Sequence, residues 1–345
     1  MPAESLLRRR RLECGFTQAE LAARAGVSRQ LVAAVEAGRN VPAVDAALAL
    51  AQALSTTVEQ LYAARPAGVV AALGGRLRNG IALRVGRVGE QMVAAELADH
   101  GVAGASWAKP DAVLEAGELR LFPGASPAGV VVAGCDPALG VAEALLDGLG
   151  PRSMLALSTT TTSALRALER ESVHAAVVHA VPDELPKSAI AVVRWHLARW
   201  RVGLAVPAAL RRQSFEAVLH ADVPIAQRDP GATSQRAFER ARIAVGVAPA
   251  AGSPRATGHL DAARIAAMVG GAAVTTEAAA HAFGLGFLAL ETHAVEVWVA
   301  ERWREHPGID ALGELLATRA FIERVAQFGG YDLAGSGDRV TPSLN

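Results

Sequence analysis

The stretch GFTQAELAARAGVSRQLVAAVEAG, Gly15 to Gly38, decides how the amino-terminal part of the chain folds. Apolar residues recur in it at spacings of three and four, interrupted by polar or glycine positions. Thr17 can cap a helix from Gln18 to Ala25 by offering its hydroxyl to the free amides of the first turn, with Glu20 as the N3 partner of a capping box. Gly26 ends that helix. Ser28, two residues on, caps the next one, Arg29 to about Ala37, which Gly38 stops. Two short helices joined by so tight a turn cross at a wide angle, the helix-turn-helix arrangement. Working outward, Leu6 to Glu13 reads as a preceding helix, and the periodicity continues to Tyr62, giving about five short helices.

The run Gly15-Phe16-Thr17-Gln18-Ala19-Glu20-Leu21-Ala22, followed by Ala25-Gly26-Val27-Ser28, Val32, Val35-Glu36 and Gly38, resembles the Cro and phage-repressor (XRE) helix-turn-helix family. Leu21, Ala22, Val27, Val32 and Val35 are then expected to fill the small core between the crossed helices. The resemblance implies that Arg29 and Gln30 face the major groove, where Arg pairs with guanine and Gln with adenine. Gln18 and Ser28 would contact phosphates, with Arg39, Asn40 and the Arg8 to Arg11 cluster as further backbone candidates. One such head buries too little DNA to be selective, so a homodimer on two half-sites of double-stranded operator DNA is expected.

Composition sets the outer limits. The chain has 345 residues, 34 Lys+Arg against 34 Asp+Glu, and 51% hydrophobic residues, the profile of a globular protein of two or so domains rather than a disordered one. The mean hydropathy of +0.25 comes mostly from alanine and valine, and a charged residue interrupts each apolar stretch before about 18 residues, so no membrane span is expected. Arg8 to Arg11 follow Met1 without an apolar core behind them, so no signal peptide is expected and the chain is assigned to the cytoplasm. Cys14 and Cys135 lie far apart, which predicts neither a disulfide framework nor a thiolate zinc site. Zero net charge argues against indiscriminate nucleic-acid coating and leaves room for one small basic face.

Helical periodicity stops after Tyr62, and Arg65-Pro66-Ala67-Gly68 followed by Gly74-Gly75 marks a boundary. Ile81 to Leu97 reads as a hairpin and Glu118 to Phe122 as a further strand, so residues 66–127 are expected to be a linker and small β-containing connector. From Ala128 apolar strands alternate with helices: Val130 to Ala133, then Ala138 to Leu149; Met154 to Leu157, then Ser163 to Arg170; and then Ala175 to Val178. That alternation predicts an open, largely parallel α/β sheet with ligands at the carboxyl ends of its strands. Asp136 can cap the helix that follows it, with Pro137 at N1. Ser158-Thr159-Thr160-Thr161-Thr162-Ser163 supplies six hydroxyls where capping needs one or two, which suits an anionic or oxygen-rich ligand. In the turn from Ile225 to Arg236, Arg228 adds a positive charge and Thr233 and Ser234 further hydroxyls. Ala256-Thr257-Gly258-His259 and Val274-Thr275-Thr276-Glu277 repeat the theme. Asp136, Ser158, Thr159, Thr160, Arg228, Thr233, Ser234 and Thr276 are therefore the candidate ligand-binding residues, converging on one polar cleft.

Several of these segments resemble the periplasmic-binding-protein-like domain that bacterial regulators carry behind a helix-turn-helix, related to molybdate-type solute receptors. They are Ala133-Gly134-Cys135-Asp136-Pro137-Ala138-Leu139, Val173-His174-Ala175-Ala176-Val177-Val178-His179, the Arg228 to Arg236 turn, Gly284-Leu285-Gly286-Phe287-Leu288-Ala289-Leu290-Glu291 and Phe328-Gly329-Gly330-Tyr331-Asp332. The resemblance implies a multidomain chain: an all-α five-helix head over residues 1–65, the connector, and an α/β two-lobed (type II) body over 128–340. Lobe one is placed at 128–192 plus 287–340 and lobe two at 193–286. The family turn Gly-Ser/Ala-Gly-Thr-Arg is replaced here by Gly231-Ala232-Thr233-Ser234-Gln235, so its arginine is either displaced to Arg236 or lost. The usual Ala-Asp-Ala-Gly is replaced by Ala272-Ala273-Val274-Thr275-Thr276. Molybdate is thus not implied, and the expected effector is a small polar or anionic solute, oxyanions included.

His174 and His179 lie five apart on a strand and face opposite sides, and His293 beside Glu291 and Glu296 does not reproduce a His-x-x-x-His helix, so no metal site is expected. Gly-x-Ser-x-Gly, a phosphate loop and Gly-x-Gly-x-x-Gly after the first α/β strand are all missing, so neither catalytic residues nor a cofactor are expected. The sequence points to a cytoplasmic, ligand-responsive, one-component transcriptional regulator and not an enzyme. Two alternatives remain open: a regulator whose body serves only as a dimerisation or partner scaffold, and an α/β enzyme tethered to a DNA-binding domain.

Overall fold

Helix α1 (Leu6–Glu13), α2 (Gln18–Ala25), α3 (Arg29–Glu36) and α4 (Val44–Ala53) build the head. The architecture is that of a computed structural model describing residues 6–37, 39–58, 61, 68–97, 109–148, 150–221, 223–248 and 253–340. It divides into two units, Met1–Pro66 and Ala67–Asn345. The capping box of α2 is formed: Thr17 Oγ1 accepts from the Glu20 amide at 3.2 Å and Glu20 Oε2 from the Thr17 amide at 2.7 Å. Gly26 takes φ 64°, a left-handed conformation that any side chain would strain, and so turns the chain sharply into α3. Ser28 caps α3 by accepting from the Leu31 amide at 3.1 Å. The expected stop at Gly38 lies outside the described residues. Val58 and Leu61 are helical, as expected of a fifth helix, but its other residues also lie outside them. Leu7, Leu21, Val32, Leu50 and Leu54 are fully buried in the head's core, and Val27 packs at its edge. Full burial of each large side chain contributes about 1.5–3 kcal/mol.

In the second unit a five-stranded sheet comes first, in the order β1 (Val70–Ala71), β3 (Gln91–Glu96), β2 (Ala82–Val88), β4 (Ala112–Glu115), β5 (Glu118–Leu121). Ala116 and Gly117, both at positive φ, make the tight turn between β4 and β5. This sheet is more than the connector expected of residues 66–127. Val88, Val93 and Ala95 share one core with Val131, Leu155 and Leu157 of the strands that follow. Gly86 sits so close beneath Val131 that a Cβ there would collide with it. Arg84 reinforces the junction, bonding Asp111 at 3.0 Å and Glu143 at 2.8 Å.

The larger sheet runs in the order β10 (Ile225–Ala226), β11 (Ala272–Thr276), β9 (Val192–Val206), β12 (Gly286–Ala300), β8 (Ala175–Ala180), β6 (Val130–Gly134), β7 (Met154–Ser158), with β13 (Tyr331–Asp332) against β9. At one end β6 pairs parallel with β7 and β8, and at the other β10 pairs parallel with β11. Between them β9 and β12, fifteen residues each, are antiparallel to each other and to their outer neighbours. The expected largely parallel sheet is therefore mixed, because these two long strands join two α/β halves. The first half carries α5 (Ala138–Leu145) and α6 (Thr161–Glu169), and later α11 (Pro307–Leu316) and α12 (Arg319–Ala326); the second carries α7 (Phe215–His220), α8 (Thr233–Ala244), α9 (His259–Val269) and α10 (Glu277–Ala282). Strand β12 pairs with β8 over Ala294 to Val299, whereas β9 pairs with β11 over Val202 to Ala205. Each strand thus passes from one half to the other in mid-course, with register shifts at Ala289/Glu291 and Val295/Glu296. The lobe limits drawn at 192/193 and 286/287 fall at the ends of these strands rather than where they cross. Gly203 is required at the crossing, since a Cβ would strike the Leu288 carbonyl. Among the described residues no helix is long and apolar enough to cross a membrane.

His174 gives the fold a pH dependence. It is buried against Trp303 and His306 and accepts the Val131 amide on Nδ1 at 3.0 Å. Burial, assisted by His306, pushes its imidazole down to about 3 from an ordinary 6.5. The unfolded chain takes up that proton and the folded chain does not, so the stability this residue confers is full above the ordinary value and lost as pH falls from 6.5 towards 3. Between pH 7 and pH 5 the loss is about 2 kcal/mol. Urea unfolding at the two pH values is expected to show that His174→Gln removes this share of the pH dependence; an unaltered slope contradicts it.

Candidate functional site

The head presents the first turn of α3. Val32 and Val35 anchor that helix inward, and Arg29 and Gln30, immediately after the Ser28 cap, are exposed on the opposite side. Arg39 and Asn40 are exposed beyond the helix end. Two residues expected at phosphates are otherwise engaged. Arg11 is buried and grips Glu36 through Nε at 2.6 Å and Nη2 at 3.1 Å, and Gln18 Nε2 donates to Glu36 Oε2 at 2.8 Å. Burial works to raise the Glu36 carboxyl, but the bonds from Arg11 and Gln18 outweigh it and hold it below the usual range. These side chains tie α1, α2 and α3 together, so Arg11 and Gln18 help to set the angle of α3.

In the body the carboxyl ends of strands from both halves meet. Cys135 and Asp136 follow β6, His179 is the penultimate residue of β8, Trp200 and His293 lie on the crossing strands, Arg228 follows β10, and His259 opens α9. The His179 and His259 rings lie 5.8 Å apart, and Trp200 is 5.5 Å from His259 and 5.0 Å from His179. Ser158 approaches Gly258 from the opposite half. The donor atoms of Cys135, His179 and His259 fall within 4.8 Å of one another.

Electrostatically the centre is Arg228, only 2% exposed. Gln235 Oε1 accepts from its backbone amide at 2.8 Å, but of its guanidinium only Nη2 finds a partner, the Thr257 carbonyl at 3.5 Å. Among the described residues Nε and Nη1 are buried without a partner, as are Thr161 Oγ1, Ser234 Oγ, Trp200 Nε1, both ring nitrogens of His259 and Asp136 Oδ2. Burial pushes the guanidinium down, opposed by Cys135, Asp261 and Asp229. It also drives His179 and His259 well below the ordinary imidazole range, so both are neutral. The Asp136 carboxyl is pushed up to about 6 by burial, although its Oδ1 accepts from Tyr331 Oη at 2.6 Å and the Ala138 amide at 2.7 Å. Each unsatisfied buried group costs about 1–3 kcal/mol. The guanidinium, the Thr161 and Ser234 hydroxyls and the Trp200 N–H can donate to a small anion, whereas Asp136 Oδ2 donates only when protonated and neutral His259 offers one donor and one acceptor.

Of the ligand residues expected from sequence, Asp136, Arg228 and Ser234 bring unpartnered atoms to this cluster, and Thr233 is buried beside Ser234. Thr160 and Thr276 use their hydroxyls as caps of α6 and α10. Ser158 is exposed, and Thr159 is half-buried with its amide on the Gly134 carbonyl. Thr161, His179, Trp200, His259 and Tyr331 were not among the candidates. The rule that selected Asp136, a polar residue at a strand end or helix start, applies equally to Thr161, His179 and His259.

Two family models match the chain: a helix-turn-helix over residues 7–61 and a PBP superfamily domain over residues 143–317, just over half of its length. The first is a DNA-binding fold and the second a ligand-binding one. No curated protein sequence matches. Among solved structures the chain is similar to an ABC-type phosphate transport receptor from Vibrio cholerae, with 9% identity, 59% of this chain and 99% of that one covered, and a TM-score of 0.39. It is also similar to the regulatory domain of HypT from Salmonella typhimurium, with 11% identity, 54% and 91% covered, and a TM-score of 0.41. For the tungstate ABC transporter from Geobacter sulfurreducens the values are 13%, 57% and 97%, and 0.40.

Arg228→Met keeps most of the side-chain volume and removes the buried charge. It is expected to raise the unfolding free energy of the ligand-free protein by about 1–3 kcal/mol in urea titration; destabilisation would mean that the guanidinium is structural.

Proposed function

Because the chain belongs to the PBP superfamily over just over half of its length and carries a helix-turn-helix ahead of it, we propose that it is a one-component transcriptional regulator. In this reading a pair of heads binds operator DNA and the body senses a small anionic solute, of which an oxyanion is the simplest. The observation that carries the reading is Arg228: a buried guanidinium with Nε and Nη1 unpartnered, surrounded by unpartnered hydroxyl and N–H donors contributed by both halves. A buried, unpaired charge is destabilising unless something compensates it, and an anion accepting from Arg228, Ser234 and Thr161 does so. The amide of Arg228 bonds Gln235 in the first turn of α8 and its Nη2 meets the Thr257 carbonyl just ahead of α9, so these two helices add the positive ends of their dipoles.

The working units proposed are the head, residues 1–65, and the sensing body, 128–340, with 66–127 as the sheet on which the first half rests. Closure of the two halves on the solute would bend β9 and β12 at their register shifts. Operator affinity changes only if the solute binds open and closed states differently. Binding, rather than turnover, is the output this requires.

Two measurements test the reading. In a thermal-shift series with phosphate, sulfate, molybdate and tungstate, an anion held at about a hundredfold over its dissociation constant is expected to add about 2.7 kcal/mol to wild type and nothing to Arg228→Met. No stabilisation by any small anion would leave the body as a dimerisation or partner scaffold. On the DNA side, Arg29→Ala combined with Gln30→Ala is expected to abolish sequence-selective retardation of the protein's own promoter; unchanged selectivity refutes the groove assignment.

A further inference from the structure

We propose that Cys135, His179 and His259 form a three-coordinate site for a monovalent soft metal ion, copper(I), which joins the two halves of the body. The site shares His259 with the polar cluster around Arg228, and its metal chemistry does not rest on the proposed function.

The geometry comes first. Cys135 follows β6 and His179 lies on β8 in the first half, while His259 opens α9 in the second, and their donor atoms lie within 4.8 Å of one another. Metal bonds of about 2.0–2.3 Å to sulfur and nitrogen place three trigonal donors about 3.5–4 Å apart, so a small closing movement completes the site. All three residues are buried, and both ring nitrogens of His259 are without a partner.

A proton relay presents the second ligand. Glu291 Oε2 lies 3.0 Å from His293 Nε2, and His293 Nδ1 lies 2.9 Å from His179 Nδ1. A carboxylate can only accept, so His293 donates from Nε2 and accepts on Nδ1. His179 must then donate from Nδ1, which leaves its Nε2 as a bare lone pair. Carboxylate–imidazole chains of this kind orient metal-binding histidines and raise their basicity. Arg240, bonded to Glu291 at 2.8 and 2.9 Å, fixes the far end of the relay.

Charge and softness select the ion. Thiolate with two imidazoles is a donor set that suits copper(I). Binding follows Cys–SH + Cu⁺ → Cys–S–Cu + H⁺, in which one proton leaves for each monovalent ion that enters and no electron moves. The net charge of the buried cluster is unchanged. A divalent ion such as zinc would add a full positive charge beside Arg228, which no buried bond to a carboxylate compensates.

The test uses the full-length reduced protein under anaerobic conditions, titrated with copper(I) against a chromophoric copper(I) chelator and separately with zinc(II). One copper(I) per chain is expected, with affinity reduced more than about a hundredfold in Cys135→Ala and His259→Gln and unaffected in Cys14→Ser. Copper-edge X-ray absorption of the wild-type complex, which requires no variant to fold, is expected to show one sulfur and two nitrogens. Absence of copper(I) binding, preference for zinc(II), an unaffected Cys135→Ala or a shell without sulfur each overturns the proposal. Retention of copper(I) binding by Arg228→Met would separate this site from the anion reading, and Arg228→Met losing copper(I) as well would overturn the assignment of the three ligands.

Discussion

The pairing of β9 with β12 is the constraint from which the body follows. Two strands of fifteen residues are long enough to serve two α/β halves at once, and their antiparallel register fixes which residues of each half come face to face. With Val297 against Trp195 at one end and Leu288 against Leu204 at the other, the strand ends that carry Cys135, His179 and Arg228 are obliged to converge. The two register shifts in β12 lie in the stretch between, where β-bulges bend a strand and loosen its ladder. Gly203 keeps the pair close at that point, because only a residue without a side chain tolerates the Leu288 carbonyl so near.

Much of this could be read from the residues in order. The head was legible because its signals are local: Thr17, Glu20, Gly26 and Ser28 each act within one turn, and caps and left-handed glycines leave unmistakable spacings. The βα repeats of the first half were legible for the same reason. The long strands were not, since Val192–Val206 places Arg194, Trp195, His196, Arg199, Trp200 and Arg201 among its apolar residues and so hides its strand character. Without β9 and β12 the sheet reads as parallel and the junction of the halves slides to the strand ends. The polar cluster was half legible. Asp136, Arg228 and Ser234 announce themselves beside helix starts, whereas His179 and His259 gain meaning only from each other, eighty positions apart. In the head, the bonds of Arg11 and Gln18 to Glu36, which lies on another helix, were likewise not legible from local spacing.

The electrostatics of the body explain why the cluster is unlike ordinary core. Other arginines of the body are paired with carboxylates: Arg194 holds Glu296 through two bonds at 2.7 and 2.8 Å, and Arg84 bonds Asp111 and Glu143. Arg228 has no such carboxylate, and around it stand neutral histidines, a tryptophan N–H and two hydroxyls. Stability alone would favour apolar replacements here. A cation and a set of unpartnered donors at the meeting point of two halves therefore cost the fold some of its stability.

The close seat of Gly86 under Val131 bears on where such a chain can be divided. The five-stranded sheet and the first α/β half share one of their hydrophobic cores, so a fragment cut without residues 69–121 would bare Val131, Leu155 and Leu157 to water. A fragment that begins at the first of the five strands keeps that shared interior covered, whereas one that begins at the α/β repeats lays it open.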